Sequence, residues 1–323
     1  MGLPRRKFLH LATLAAAASA MPDYASALDY PARPVRFVVG FPAGNAPDIV
    51  ARLIGQWLSE RFSQQFVIEN RPGASSNLAT ELALRAPADG YTLLMVVLTN
   101  ALNTTLYPDL KFNFSRDIAP VATIANAPYV VVINPAVPAK TLPEFIAYAK
   151  SNPGKVNMAS GGNGTSTHVF GELFKMMTGV DLVHVPYRGS YMADLLGGQV
   201  QVVFNPIPQS LEYVRAEKLR ALAVTTATRL AALPDVPTVN ETVPGYEATG
   251  WYGIVAPRDT PAAIVDSLNA AINAVLANPK LQQQLAGLGV EPMPMAPAEF
   301  GKFIAAQTEK WAKVIAFAGI KAE

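Results

Sequence analysis

The sequence predicts an α/β fold of two lobes, joined by a chain that crosses between them twice. Three observations predict it. Apolar, β-branched runs of strand length alternate with helical segments that carry one apolar stripe. The alternation comes in two series, separated near residues 121–133 by a long apolar strand that ends at Asn134-Pro135. At 323 residues, 50% hydrophobic and only 15% charged, the chain is long enough for two modest domains and apolar enough to fill a core in each.

Residues 35–41 form the first strand. The loop Phe41-Pro42-Ala43-Gly44-Asn45-Ala46-Pro47 follows, and Asp48 opens a helix to about residue 62. Ile49, Val50, Leu53, Ile54, Trp57, Leu58 and Phe62 share one face of it. A second strand lies at 66–69, a helix near 77–86 after the Asn70-Arg71-Pro72-Gly73 turn, and a third strand at 91–98. Strands separated by helices of this length imply right-handed crossovers and a mainly parallel sheet. The second series has a helix at 142–151, a strand at 156–159, a glycine-rich loop at 160–167 and a helix at 168–178. Strands follow at 183–185, 200–204 and 219–224. A last strand at 251–256 precedes helices at 261–277, 280–288 and 297–317. Ile264, Val265, Leu268, Ile272, Val275 and Leu276 form one apolar stripe, and Phe300, Phe303, Ile304, Trp311, Val314 and Ile315 another; Trp57, Trp251 and Trp311 all fall in core-like patterns. Residues 28–125 plus 255–323 are expected to form one lobe and 126–254 the other, with the two crossing strands as a hinge. Ligands of open α/β sheets bind at the carboxyl ends of strands, and both lobes would present those ends to the cleft.

Residues 1–27 read as a targeting segment. Arg5-Arg6-Lys7-Phe8-Leu9 precedes an Ala-rich apolar run at 11–20 that is too short to span a bilayer, and Ala25-Ser26-Ala27 or Ala18-Ser19-Ala20 supplies a cleavage pattern. The paired arginines fit a twin-arginine export signal; an ordinary secretory signal with two basic residues is the other reading. Either way the mature protein is expected in the periplasm, soluble and monomeric. Removing the segment takes away Arg5, Arg6, Lys7 and Asp23 and leaves equal numbers of basic and acidic residues. A neutral surface gives no reason to expect nucleic acid or an anionic membrane as partner. The chain has no Cys, which excludes a disulfide framework, a thiolate metal site, a cysteine nucleophile and a lipidated N-terminal Cys.

Two loops carry the candidate chemistry. In the first, residues 41–48, a strand ends and a helix begins, and helix starts expose unpaired N–H groups and partial positive charge. Pro47 suits a first helical turn. Asp48 has two readings: it complements the helix dipole, or it faces the cleft and accepts a bond from a ligand or water. The second loop is Ser160-Gly161-Gly162-Asn163-Gly164-Thr165-Ser166-Thr167-His168. Its glycines permit close backbone approach, and its hydroxyls and amides sit at another helix start, which makes it an anion cradle. It is neither a phosphate-binding lysine loop nor a dinucleotide fingerprint. Arg188, after Tyr187, is suited to bidentate carboxylate pairing or to a hinge ion pair. Asn205 follows a strand end and the pair Thr99-Asn100 ends the third strand, and all are candidates to reach the cleft. His168 and His184 show no metal-ligand spacing, and neither a metal nor a cofactor is expected. No Gly-x-Ser-x-Gly elbow, His-Glu-x-x-His or local pair of carboxylates argues for catalysis.

At these loops, and along essentially the whole chain after the leader, the sequence resembles the Bug receptors, the TctC-type substrate-binding proteins of tripartite tricarboxylate transporters. Phe41-Pro42-Ala43-Gly44, Asp48-Ile49-Val50-Ala51-Arg52, Glu69-Asn70-Arg71-Pro72-Gly73-Ala74 and Asp89-Gly90-Tyr91-Thr92-Leu93-Leu94 carry the likeness. So do Gly162-Asn163-Gly164-Thr165-Ser166, His184-Val185-Pro186-Tyr187-Arg188-Gly189 and Asp194-Leu195-Leu196-Gly197-Gly198-Gln199-Val200, in the same order. The resemblance implies a type II periplasmic-binding, Venus-flytrap fold and a non-enzymatic receptor that hands a small organic carboxylate to a permease of one large and one small subunit. Presentation of ligand to a periplasmic kinase domain is an alternative, and a hydrolase using Asp48 and His168 a more distant one. The expected ligand-binding set is Phe41, Ala43, Gly44, Asn45, Asp48, Asn100, Ser160, Gly161, Asn163, Gly164, Thr165, Ser166, His168, Tyr187, Arg188 and Asn205. Two departures stand out. Asn45 and Ala46 replace the family's second glycine and hydroxyl residue, and Asn205 stands where the family often has Asp, which disfavours a cationic group on the ligand.

Overall fold

The computed structural model describes residues 30–187 and 189–322, so the leader segment and Arg188 lie outside the described residues. The first βα series contains β1 (Val35–Val39), α1 (Ala46–Phe62), β2 (Phe66–Asn70), α2 (Asn77–Leu84), β3 (Thr92–Val97) and α3 (Leu98–Leu106). β4 (Ile118–Ala127) follows. The second series contains β5 (Tyr129–Ile133), α4 (Leu142–Ser151), β6 (Val156–Ser160), α5 (Ser166–Thr178), β7 (Leu182–Pro186), α6 (Met192–Leu196), β8 (Val202–Pro206), α7 (Ile207–Arg215) and β9 (Arg220–Val224). β10 (Gly250–Pro257), α8 (Ala262–Leu276), α9 (Pro279–Gly287), β11 (Glu291–Pro292) and α10 (Pro297–Ala318) complete the chain.

The strands form two sheets, ordered β11-β4-β10-β3-β1-β2 and β7-β6-β8-β5-β9. The fold is therefore α/β with two lobes. The sheets are mixed, not mainly parallel. β1 runs parallel to β2 and β3, and β6 to β7 and β8, but β10 is antiparallel to both β3 and β4, and β5 to both β8 and β9. A strand that arrives from the other lobe enters its sheet at the end where the parallel strands finish, and so runs against them. The expected long strand at 121–133 is two strands. Pro128 has no N–H to give to a ladder and marks the break, with β4 in the first sheet and β5 in the second. The chain returns where Ala248 N–H donates to Thr225 O on the second sheet and Gly250 pairs with Ala127 on the first.

Alternation along the inner strands feeds two cores in the first lobe. Phe37 and Val39 of β1, with Leu93 and Met95 of β3, pack under α1 and α8; Val38, Leu94 and Val96 pack on the opposite face under α2, α3 and α10. β3 is buried along its whole length, as a strand covered on both faces must be. The second of these cores does not stop at the lobe boundary. It continues through Trp311, Val314 and Ile315 of α10 into Phe170 and Phe174 of α5 and Phe204 of β8. α10, assigned by sequence to the first lobe, thus packs on both; its Trp311 ring stacks on Phe170 at 5.1 Å. Gly253 of β10 makes this seating possible, because a Cβ there would lie 2.4 Å from the Phe300 ring. Among the described residues no helix is long and apolar enough to cross a membrane.

One turn is strained. Ala74, Ser75 and Ser76 all adopt positive φ, at 45°, 52° and 74°, where side chains are disfavoured by roughly 1–2 kcal/mol each. Ala74 uses its side chain for nothing the turn needs. Ala74→Gly is expected to raise stability by about 0.5–1 kcal/mol after the extra unfolded-state entropy of glycine is counted. The corresponding rise in Tm is about 1–3 °C by calorimetry; a fall in Tm would contradict the assignment of strain.

Candidate functional site

The carboxyl ends of β1, β3, β6 and β8 open on the same cleft, and a helix starts from each: α1, α3, α5 and α7. Asn45 to Pro47, Thr99, Thr165 to Thr167, and Pro206 with Gln209 are the residues these starts contribute to the cleft wall. The space consists of two adjoining cavities of about 610 and 590 Å³, which share Thr99, Tyr129, Ser166, Pro206 and Gln209. The first is rich in hydroxyl groups, adding Thr165, Thr167, Ser190, Tyr191 and Tyr213 beside Gly161. The second is mostly apolar, with Phe41, Ile49, Trp251, Tyr252, Leu288 and Val290, and Asn45 as its polar member. Among the described residues neither cavity is lined by Asp, Glu, Lys, Arg or His. Each helix start presents N–H groups and about half a positive charge to the cleft.

Asp48 does not line the cleft. It is 1% exposed, and its carboxylate accepts from Gly44 N–H and Asn70 Nδ2 at 2.8 Å each and from Arg52 Nε at 2.9 Å. Burial pushes its carboxyl up, but the bonds from Arg52, Gly44 and Asn70 outweigh it and hold the group below the ordinary range. Its role is to close the loop that aims α1. Of the two readings, this placement fits the first: Asp48 is the acidic residue in the first turn of α1. Ala43 and Gly44 are exposed on that loop without lining either cavity, whereas Phe41 and Asn45 do line one.

The glycine loop is similarly divided. Gly161, Thr165 and Ser166 face the cleft. Ser160 is fully buried; its Oγ accepts from Gly162 N–H at 3.1 Å and lies 2.6 Å from His184 Nε2. Gly161 N–H donates to Thr167 Oγ1 at 2.9 Å, and Thr165 Oγ1 donates to Gly162 O at 2.8 Å, so the loop is braced from within. Gly164 has φ of 70° and so little space that a Cβ would lie 2.5 Å from Leu106 of α3. Asn163 and His168 open on a separate cavity behind the loop.

Three more expected residues prove to be supports. Asn100 accepts from Val97 N–H at 2.8 Å and donates to Thr80 Oγ1 at 3.1 Å, which fixes the start of α3 but keeps its own amide buried. Asn205 accepts from the Tyr191 hydroxyl and donates to Ser210 Oγ, so it orients a ring that does line the cleft. Tyr187 donates to Asp194 at 2.7 Å, a bond that with burial pushes its phenol up to about 12. In each case the hydrogen bonds named here lie within the residue's own lobe. Arg188 lies outside the described residues.

Of the strand-end pair Thr99-Asn100, Thr99 is the residue that lines the cleft, and sequence reasoning missed Tyr129, Tyr191, Gln209 and Tyr213. α3 and α7 start directly from a strand end, with no glycine loop to advertise the turn. Signals existed: Leu98, Ala101, Leu102 and Leu106 fall at helical spacing and are all buried, and a proline occupies the first turn of α7. Tyr129 stands just past the break at Pro128 and hydrogen-bonds the Ser166 side chain; burial nevertheless holds its phenol above the ordinary range. Among the described residues no group of three or more His, Asp or Glu is placed to hold a metal.

A family model described as the tripartite tricarboxylate transporter family receptor matches residues 50–320. Protein BugT of Bordetella pertussis is 35% identical over 301 residues, which cover 92% of this chain and 92% of that protein. Rpa4515 of R. palustris, solved with adipate, superposes with a TM-score of 0.78 at 36% identity, covering 90% of this chain and 99% of its own. MatC from Rhodopseudomonas palustris, solved with bound malate, superposes at 0.74 with 32% identity, covering 88% and 100%.

Proposed function

The chain belongs to the tripartite tricarboxylate transporter receptor family, whose members are substrate-binding receptors and not enzymes, and from that membership we propose that it captures a small organic carboxylate in the periplasm and delivers it to a two-subunit membrane permease. The observation that carries the ligand class is the convergence of helix starts on a cleft lined, among the described residues, by no ionised side chain. Such a site offers an anion main-chain N–H groups and the hydroxyls of Thr99 and Ser166. Adipate and malate in the related structures are of this ligand class. The carboxylate sits at the junction of the two cavities, where Ser166, Thr99 and Tyr129 meet, and the rest of the ligand extends into the apolar half. Contacts from both lobes stabilise the closed state, and closure follows ligand affinity that differs between states. Residues 1–27 direct export.

A panel of mono- and dicarboxylates tested by thermal shift and tryptophan fluorescence checks this. A bound acid at about 100 times its Kd is expected to add about 2.7 kcal/mol of stability. A panel in which no carboxylate moves either signal would remove the ligand class.

A further inference from the structure

The four helix starts that meet the cleft are not equivalent. Those of α3, α5 and α7 carry no acidic residue in the first turn. α1 carries Asp48 there, and Gly44 N–H donates to that carboxylate. Pro47, in the same turn, has no N–H to offer. α7 has Pro208 in its first turn, and Ile207 N–H donates to Pro128 O at 3.4 Å. The starts best supplied with donors for an anion are therefore α3 and α5, whose Thr99 and Ser166 line both cavities. The apolar cavity lies toward the two poorer starts. Pro47 and Pro208 line it, with Ile49, Trp251 and Val290. Gly289, on the same wall, is packed so closely that a Cβ would lie 2.2 Å from Pro208 Cγ, an apolar contact that joins the two lobes. Asn45, the N-cap of α1, makes no side-chain capping bond; its amide can meet a hydroxyl or carbonyl but carries no charge to neutralise a carboxylate.

Resting on the receptor function proposed above, we propose that the ligand carries one acid group on an apolar body, as an aromatic or aliphatic monocarboxylate does, and that Ile49 is a specificity-determining residue for it. The single carboxylate takes the donors at Thr99 and Ser166. The body fills the apolar cavity, whose 590 Å³ is in the range of small-molecule sites, and removes apolar surface of ligand and wall from water. A second carboxylate at the far end of that body would exchange water for a wall that, among the described residues, has no cation, and for a helix start that already holds Asp48. Burying a charge without a partner costs more than the apolar contacts of one chain end return. Ile49 stands at that far end. It is 40% exposed, on the first turns of α1, and lines the apolar cavity, so it sets whether the wall accepts a methyl group or a charge.

Calorimetric titration of the mature protein with two matched pairs tests this: hexanoate against adipate, and 4-methylbenzoate against terephthalate. Within each pair the carbon skeleton is the same and only the second acid group differs. In at least one pair the monoacid is expected to bind at least about tenfold more tightly than the diacid, a modest share of what an unpaired buried charge costs. Ile49→Lys places an ammonium group on the wall and is expected to shift that ratio at least about tenfold toward the diacid. Ile49→Gln gives up the same apolar contact without adding charge and is expected to leave the ratio within about threefold. Ile49 is exposed enough that both substitutions spare the core. Monoacid preference below about tenfold in both pairs, or an Ile49→Lys ratio within threefold of wild type, would overturn the proposal. Diacids that bind as tightly as monoacids would leave the carboxylate receptor standing; four acids that all fail to bind, with no other carboxylate bound in the wider panel, would remove both.

Discussion

Ser166→Asp is expected to weaken carboxylate binding more than about 100-fold while raising stability slightly. Ser166 lines both cavities and is the first residue of α5. A carboxylate there takes up the N–H groups and the partial positive charge meant for the ligand. It also repels a ligand carboxylate about 4 Å away by about 4 kcal/mol at an effective dielectric of 20, which exceeds the 2.7 kcal/mol of a 100-fold change. The same charge at a helix start contributes about 0.3–1 kcal/mol to folding. The two effects have opposite signs, and this separates a blocked site from a damaged fold. Ser166→Asn, neutral and still able to hydrogen-bond Tyr129, is expected to lose less than about tenfold. Calorimetric titration and thermal melting check both variants; Ser166→Asp binding within threefold of wild type would remove the anion site from the α5 start.

Trp311→Ala is expected to cost about 3–5 kcal/mol, the range for deleting a large buried aromatic ring. The indole is fully buried, stacks on Phe170 and donates from Nε1 to Gln307 Oε1 at 2.8 Å. It belongs to a core that draws on both sheets. Its loss therefore loosens α5, which carries Thr165 to Thr167, as well as α10, and ligand affinity falls together with stability. Urea unfolding of Trp311→Ala and Trp311→Phe measures the effect, with Phe retaining roughly half of the ring's contribution. A loss below about 1.5 kcal/mol in the Ala variant would show that α10 does not tie the lobes.

Where tertiary packing follows helical spacing, the fold was legible. Each residue of the α8 stripe, Ile264, Val265, Leu268, Ile272, Val275 and Leu276, is buried. In α1 the stripe held except at Ile49, which is 40% exposed, and that exception lines the apolar cavity. Helix length alone did not decide legibility: α2 and α9, with eight and nine residues, were read, whereas α3, α6 and α7, with nine, five and nine, were not. The site was half legible. Glycine and proline beside a strand end flagged the α1 and α5 starts, because those residues mark the turn. Which way a side chain points depends on partners distant in sequence. Asp48 turns inward because Asn70 of β2 and Arg52 meet it, and Asn205 turns inward because Tyr191 and Ser210 do. No local pattern encodes that choice. The rings of His168 on α5 and His184 on β7 stack with centroids 3.5 Å apart, and reading each histidine alone showed only the absence of a metal spacing.

Backbone amide NMR of the mature protein, titrated with an acid that raises its melting temperature, tests the helix-start anion site most directly. The account predicts that amide shifts at residues 45, 46 and 48, 98–100 and 161–167 move together with one saturation curve, in both lobes at once. Saturable binding that moves none of these amides, or only those of one lobe, would contradict it.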